Sequence, residues 1–382
     1  SNERSIVVDE RHERDGSEPR RHEGRPVFRV RESWGRWLVL VYFGILIALI
    51  NIADASNVAI TGKGRIDGQG AVWWEKWRAR ARVAMRGGGT LRPRLIKTMR
   101  STNLLFEGVT VMNAPSFHLV VEQSENVTVR GMSFIALAHS PNTDGIDPTD
   151  TRNMLIENNF FDIGDDIVAI KSQRVDPNHP DASVENIVIR NNRGRAGRGI
   201  CIGSGTVGGV RNVIVENNHI TGAMYGLRIK TMRERGGLVQ NIVFRNNTLV
   251  DVLTPFVFSS YYLNSGFDDD AIAKRLAADG GFRLNDQIYP PDSEAAVPYK
   301  PNSTPWIRNI VVDGLTATGA DRVGLIIGLP ERGIEGLVFR NAKVQARMPL
   351  RVRNAAADLR GLTITGVTGT PILEERGAQI RR

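Results

Sequence analysis

A chain of 382 residues with 41% hydrophobic content can bury a large core, and a solenoid accommodates that length as one domain. Its single cysteine, Cys201, excludes an internal disulfide framework, so packing and stacked backbone hydrogen bonds must hold the fold. The formal charge is +9 and is unevenly placed: residues 76–100 carry nine Lys and Arg and no acid. Such a strip favours an anionic partner (nucleic acid, polyuronate, sulfated glycan or membrane surface), with a solvated helix or loop as the competing reading.

Residues 1–25 are charged and aperiodic, the pattern of a mobile or edge N-terminal arm. The chain opens Ser-Asn rather than Met, so its start is expected to be an artificial or a processing boundary, and any signal peptide would precede it. The expected destination is secreted or periplasmic, with the cytoplasm as alternative. The apolar run 37–50 has 14 residues, short of the roughly 20 that cross a bilayer. It leads directly toward a strand phrase at Asn57, so it is read as early buried strands.

From there a phrase recurs: Asn, a β-branched alternating run, then a small or polar turn. It starts at Asn57, Asn103, Asn126, Asn153, Asn186, Asn212, Asn241 and Asn309. Most starts lie 23 to 33 residues apart, but 68 residues separate Asn241 from Asn309. A fixed period signals a stacked solenoid, and period-2 strands within each unit predict an all-β parallel β-helix. One domain is expected over 26–382. Trp73, Trp74, Trp77 and the basic strip interrupt it, a long insertion occupies about 252–305, and rungs near Leu337 and Leu359 close it. The Asn opening each rung is assigned to stacking and turn hydrogen bonds.

Three neighbouring rungs carry charge clusters: PNTDGIDPTD with Asn142, Asp144 and Asp147; DIGDDIVAIKS with Asp165, Asp166 and Lys171; YGLRIKT with Tyr225, Arg228 and Lys230. Between them lies Arg198, flanked by Gly197 and Gly199. Asp144 and Asp165 are 21 residues apart, close to one turn of the coil, and stacked strands sit about 4.8 Å apart. Three carboxylates at one spot raise the proton affinity of at least one, giving the acid and base that glycoside hydrolysis needs. A structural Asp cluster or a cation site stays open on spacing alone.

The order NTDG, GDD, G-x-G, RIK on a rung background resembles glycoside hydrolase family twenty-eight, the polygalacturonases. The similarity extends to NVAITGKGRIDGQGAVWW, RPRLIKTMRSTNLLFEGVTVMNAPSF and GGVRNVIVENNHITGAMYGLRIKT, covering about 50–265 strongly. It implies a right-handed parallel β-helix and inverting hydrolysis of α-linked galacturonan, or of a related acidic polysaccharide, without metal or other cofactor. Asp165 would protonate the glycosidic oxygen, and Asp144 and Asp166 would orient and deprotonate water. Inversion would need a carboxyl separation of about 6.5–9.5 Å. Arg228 and Lys230 would hold a uronate carboxylate, Asn142 would add a polar contact, and Tyr262 or its neighbour Tyr261 would contact the sugar.

The resemblance departs at Gly197-Arg198-Gly199, where the family has Gly-His-Gly. An Arg cannot release a proton at working pH, and beside Asp165 it would favour the ionised form, the wrong direction for an acid. A lower pH optimum and an extra anionic group on the substrate are the expected consequences, which makes Arg198 a substrate-binding candidate. Alternatives are a polysaccharide lyase with Ca²⁺ on the acids, and a non-catalytic acidic-glycan-binding β-helix. No nucleic-acid module is recognisable. His118 and His139 are read as packed or surface residues, Cys201 as a small core residue. A bacterial, monomeric protein is expected.

Overall fold

The computed structural model describes residues 4–8, 48–83, 92–262, 278, 281–284 and 287–382. Over these residues the chain is a right-handed parallel β-helix. Sheets of twelve, ten and eleven strands surround one core, and successive strands of each coil pass from sheet to sheet. The two-residue alternation of the sequence sets this up, because every second side chain of a strand points inward. In the eleven-stranded sheet one inward column runs Ile96, Leu119, Ile146, Val168, Ile200, Leu227, Phe256, each paired in register with the next. All seven are buried in the main core.

The eight rung asparagines stand on the twelve-stranded sheet with φ between 52 and 57°, a left-handed conformation that Asn tolerates better than other side chains. Each amide from Asn103 to Asn309 donates to the Oδ1 of the preceding one, at 3.0 to 3.4 Å. A second, buried ladder runs through Asn159, Asn192, Asn218 and Asn247, linked at 2.9 to 3.0 Å. There each side chain also donates to a backbone carbonyl of an earlier rung, so the turn's polar groups are satisfied inside the protein.

Of the N-terminal arm, Arg4–Val8 is described and adds a parallel edge strand beside Ser56–Gly62. Of the apolar run, 37–47 lie outside the described residues, and its end joins the strand Ala48–Ala53. That strand is the end member of its sheet. Ile50 and Ile52 therefore pack on the core while Leu49 is 61% exposed, so the expectation of burial holds on one face only. The tryptophans fall on a helix, Ala71–Val83, and Trp74 is buried with its Nε1 donating to the Ala114 carbonyl at 3.0 Å. Among the described residues no helix is long and apolar enough to cross a membrane.

The insertion begins later than 252. Thr254–Ser259 is a fully buried rung strand, paired in parallel with Tyr225–Lys230 and Gly324–Ile327, because Phe256 and Phe258 continue the core column. The excursion after it includes an antiparallel pair, Phe282–Leu284 with Gln287–Tyr289. Tyr261 and Tyr289 join Tyr225, Val257, Leu325, Ile327 and Leu329 in a second apolar cluster. Arg233 ties this region down through Glu294 and Glu331, both at 2.7 Å.

Candidate active site

Successive coils present the same turn, the one entering the eleven-stranded sheet. Asp144 precedes Ile146–Thr149, Asp165 and Asp166 precede Val168–Ser172, and Arg198 precedes Ile200–Thr206. The turns stack closely enough to demand glycine at two places. A Cβ on Gly145 would lie 2.7 Å from the Phe161 ring, and one on Gly164 would lie 2.3 Å from the Ser140 carbonyl. The glycines of NTDG and GDD thus let the acids of neighbouring coils approach.

Asp144, Asp165 and Asp166 are all buried, and one oxygen from each lies within 4.8 Å of the others. A small group placed centrally would be within hydrogen-bonding reach of all three. This spacing, set by coil stacking, is tighter than the separation expected above for inversion. The Asp166 amide donates to Asp165 Oδ1 at 3.0 Å, and the Arg198 amide donates to the Asp165 carbonyl at 2.9 Å. The residues either side of Asp165 therefore fix its orientation.

Burial alone would raise the proton affinity of every acid here, and local charges then separate them. Asp166 goes down: burial opposes this, but Lys230, with Nζ 2.6 Å from Asp166 Oδ2, and Arg228 outweigh it. Asp165 goes up through burial and the charge of Asp166, which together exceed the opposing pull of Arg198, whose Nε is 3.6 Å from Asp165 Oδ1. Arg198 acts in the expected direction but does not decide the outcome. Asp144 rises well above the ordinary carboxylate value through burial and the charges of Asp147 and Asp165.

The substrate-binding candidates separate by exposure. Arg198 keeps about 31% of its side chain open. Arg228 is completely buried, its guanidinium 3.9 Å from the Tyr225 ring centre and 5.8 Å from that of Tyr262. Lys230 is also buried, with Tyr262 over it at 5.1 Å. Tyr262 therefore belongs to the site, whereas Tyr261 is buried in the second apolar cluster with its hydroxyl donating to Glu294. Asn142 stands at the rim with φ 52°, its Oδ1 accepting from Arg92 Nη2 at 2.6 Å.

Four further residues stand at the site, and the sequence reading gave them no role there. Arg92, read as part of a basic strip, is buried and donates to the carbonyls of Pro115 and Pro141 as well as to Asn142, bracing the turn that carries Asp144. Its burial lowers its pKa to about 10. His118 is completely buried, with Nδ1 2.9 Å from the Asp144 carbonyl oxygen and its pKa lowered by burial. Lys171 binds Asp147 directly and lies 3.6 Å from Asp144 Oδ2, and a lone cation after the apolar IVAI was the available signal. Cys201 is buried but is not part of the interior core formed by Ile200 and Ile202. It stands between Ala169 and Arg228 beneath Asp166, because strand alternation turns it outward.

The architecture and the site together define the class: a parallel β-helix bearing a buried carboxylate cluster with matched cations. The chain belongs to one family of that class: the pattern of Glycosyl hydrolases family 28 matches residues 43–272. An endo-polygalacturonase of Pectobacterium carotovorum subsp. carotovorum is 34% identical over 223 residues, 56% of this chain and 53% of that protein. A probable polygalacturonase of Vitis vinifera is 28% identical over 91% of this chain and 64% of its own length. The chain thus spans about half to two thirds of these relatives. Among solved structures, the hyperthermoactive exopolygalacturonase from Thermotoga maritima superposes with a TM-score of 0.61 at 26% identity, over 86% of this chain and 71% of that one.

Proposed function

We propose that this chain hydrolyses α-linked galacturonan, or a closely related acidic polysaccharide, by acid/base catalysis in the carboxylate cluster. The observation that carries this is the division of proton affinity within 4.8 Å: Asp166 is driven down while Asp144 and Asp165 are driven up. A site where one carboxylate is driven toward its ionised form and its neighbours toward protonation offers both the base and the acid of glycoside hydrolysis. Family membership and polygalacturonase relatives support the substrate class.

In this reading Asp165, the most exposed of the three acids, protonates the glycosidic oxygen. Asp166, held ionised by Lys230, draws the proton from a water that Asp144 helps to orient. Arg198 meets the substrate carboxylate first, since it is the open cation. Arg228 and Lys230 supply positive potential from behind Tyr262. Against the histidine that the sequence resemblance leads one to expect between Gly197 and Gly199, Arg198 would trade a titratable group for a fixed charge that suits an anionic sugar. The chain from about 26 onward would act as one catalytic unit, as a monomer, on a polymer met outside the cytoplasm.

The test is reducing-end release from polygalacturonate between about pH 3 and 8, with Asp165→Asn as control and ultraviolet absorbance followed for unsaturated product. Release without absorbance, lost by about 10²-fold or more in the variant, supports the proposal. Absorbance that a chelator abolishes would identify a lyase. Binding without release would identify a non-catalytic glycan-binding protein. The anomer formed first, read by proton NMR, decides between inversion and retention, which the tight carboxylate spacing makes worth measuring.

A further inference from the structure

Beneath the cluster lies a charge pair that none of these roles uses. Asp147 and Lys171 bind one another directly, and the Asp147 carboxylate is buried. The site is otherwise matched one to one: Lys230 with Asp166 at 2.6 Å, Arg198 with Asp165 at 3.6 Å, Lys171 with Asp144 at 3.6 Å. Of these three cations, Lys171 is the one pulled more closely by another acid. Asp144 Oδ1 and Asp147 Oδ2 are buried without a hydrogen-bond partner among the described residues. Two buried carboxylates sharing one ammonium carry a net negative charge in a medium that solvates it poorly. The least costly remedy is a proton on the carboxylate holding less of the cation, here Asp144.

We propose that Asp147 is a positioning residue: by drawing Lys171 away from Asp144, it keeps a proton on the Asp144–Asp165 side of the cluster while Asp166 remains charged. This rests on the hydrolytic reading above for its role in turnover, but not for the protonation itself. The groups facing Asp144 leave Asp147 as the one whose change frees a cation. Asp165 and Asp166 lie within 4.8 Å and have Arg198 and Lys230 as their own partners, with Arg228 behind. Arg92 reaches this turn through Asn142 and adds a positive field. The His118 ring meets Asp144 at its backbone carbonyl, its other nitrogen lies 3.3 Å from the Ile135 carbonyl oxygen, and burial disfavours its charged form. Asp147 and Asp144 together hold the Lys171 ammonium charged despite its burial.

The test compares Asp147→Asn with the double variant Asp147→Asn/Lys171→Met. In the single variant Lys171 is free to serve Asp144, so the Asp144 midpoint should fall by about one pH unit or more. Asp165, now beside a charged Asp144, should keep its proton to higher pH and move the alkaline limb of the kcat/KM profile on polygalacturonate upward. Removing Lys171 as well takes away both charges, and the limb should return most of the way. A purely structural pair would instead leave the double variant at least as impaired as the single one. Rate lost at every pH without movement of the limb, or movement that the second substitution does not reverse, overturns the proposal. Titration of aspartates ¹³C-labelled at the side-chain carboxyl in the unliganded protein, with Asp144 assigned by its loss in Asp144→Asn, reads the fall at Asp144 without substrate. If no variant, nor the parent, cleaves galacturonan, hydrolysis fails. A reversible fall of the Asp144 midpoint in that experiment would still uphold the charge-sharing, and an unmoved midpoint would overturn it.

Discussion

Lys230 Nζ lies 2.6 Å from Asp166 Oδ2, with both side chains buried. The pair keeps one carboxylate of the cluster ionised although burial alone would protonate it. Lys230→Met should therefore raise the proton affinity of Asp166 and move the acidic limb of the pH–rate profile upward. It should also cost about 3–5 kcal/mol of stability, the usual penalty for stranding a buried charge. Urea unfolding at neutral pH and a pH–rate profile check the two effects separately. A variant as stable as the parent would show that Asp166 simply takes a proton and that the pair is not required for folding.

Arg198 Nε sits 3.6 Å from Asp165 Oδ1 and remains partly open to solvent. It pulls the Asp165 proton affinity down, though burial and Asp166 prevail. Arg198→Gln should thus shift the alkaline limb to higher pH, by less than about one unit because water screens the charge. KM for polygalacturonate should rise in the same variant, if Arg198 meets the uronate. Unchanged KM with a shifted limb would confine its role to tuning Asp165.

The acids also set how stability depends on pH. Asp144, Asp147 and Asp165 have folded pKa values raised above their unfolded values. The folded state then binds more protons than the unfolded chain above about pH 4, so these three acids contribute less stability as pH climbs. Asp166 and His118, both lowered, act in the opposite sense. Asp166 adds stability that is lost as pH falls below about 4, and His118 adds stability that is lost as pH falls below about 6.5. Comparing the parent with Asp144→Asn isolates one contribution. The variant should be the more stable by about 1–2 kcal/mol at neutral pH, with the gap closing toward pH 4. Melting curves over that range suffice, and a gap that does not vary with pH would contradict the assignment.

The two asparagine ladders should respond differently to truncation. Asn192 accepts from the Asn159 amide groups and donates to Asn218 Oδ1 and the Ile156 carbonyl, all within the interior. Asn192→Ala leaves several of these buried and unpaired, for an expected loss of about 3–5 kcal/mol. Asn186 is exposed at φ 57°, so Asn186→Ala should cost only about 1 kcal/mol, mostly backbone strain, and Asn186→Gly less. Equal losses in urea melts would mean that the outer ladder carries more than conformation.

The rungs were legible because eight coils spell out the same turn. An Asn that can hold a left-handed backbone and bond its copy above is chemically conspicuous, and the inward columns follow from alternation. The acid cluster was legible because Asp144 and Asp165 stand one coil apart beside apolar runs. What could not be read was register across coils of unequal turn length. That register alone decides that Lys171 lies nearer Asp147 than Asp144, and that Cys201 turns outward beneath Asp166. Arg92 was hidden for another reason. A dense basic strip reads as one surface feature, yet this member turns inward to bind three acceptors in two turns, while Lys97 and Arg100 pair with Glu122 and Asp54.

Asn241 and Asn309 stand 68 residues apart, with the excursion beginning only after Ser259, yet the Asn309 amide still meets Asn241 Oδ1 at 3.4 Å, and Ile242 still pairs with Ile310. The coil closes over the departure as over any other turn. A rung boundary is thus a place where sequence can be lengthened while the strands on either side keep their partners. The carboxylates sit several coils away on such boundaries of their own. Reach and shape around the groove can therefore diverge between relatives by splicing at the turns, without renegotiating the positions of Asp144, Asp165 and Asp166.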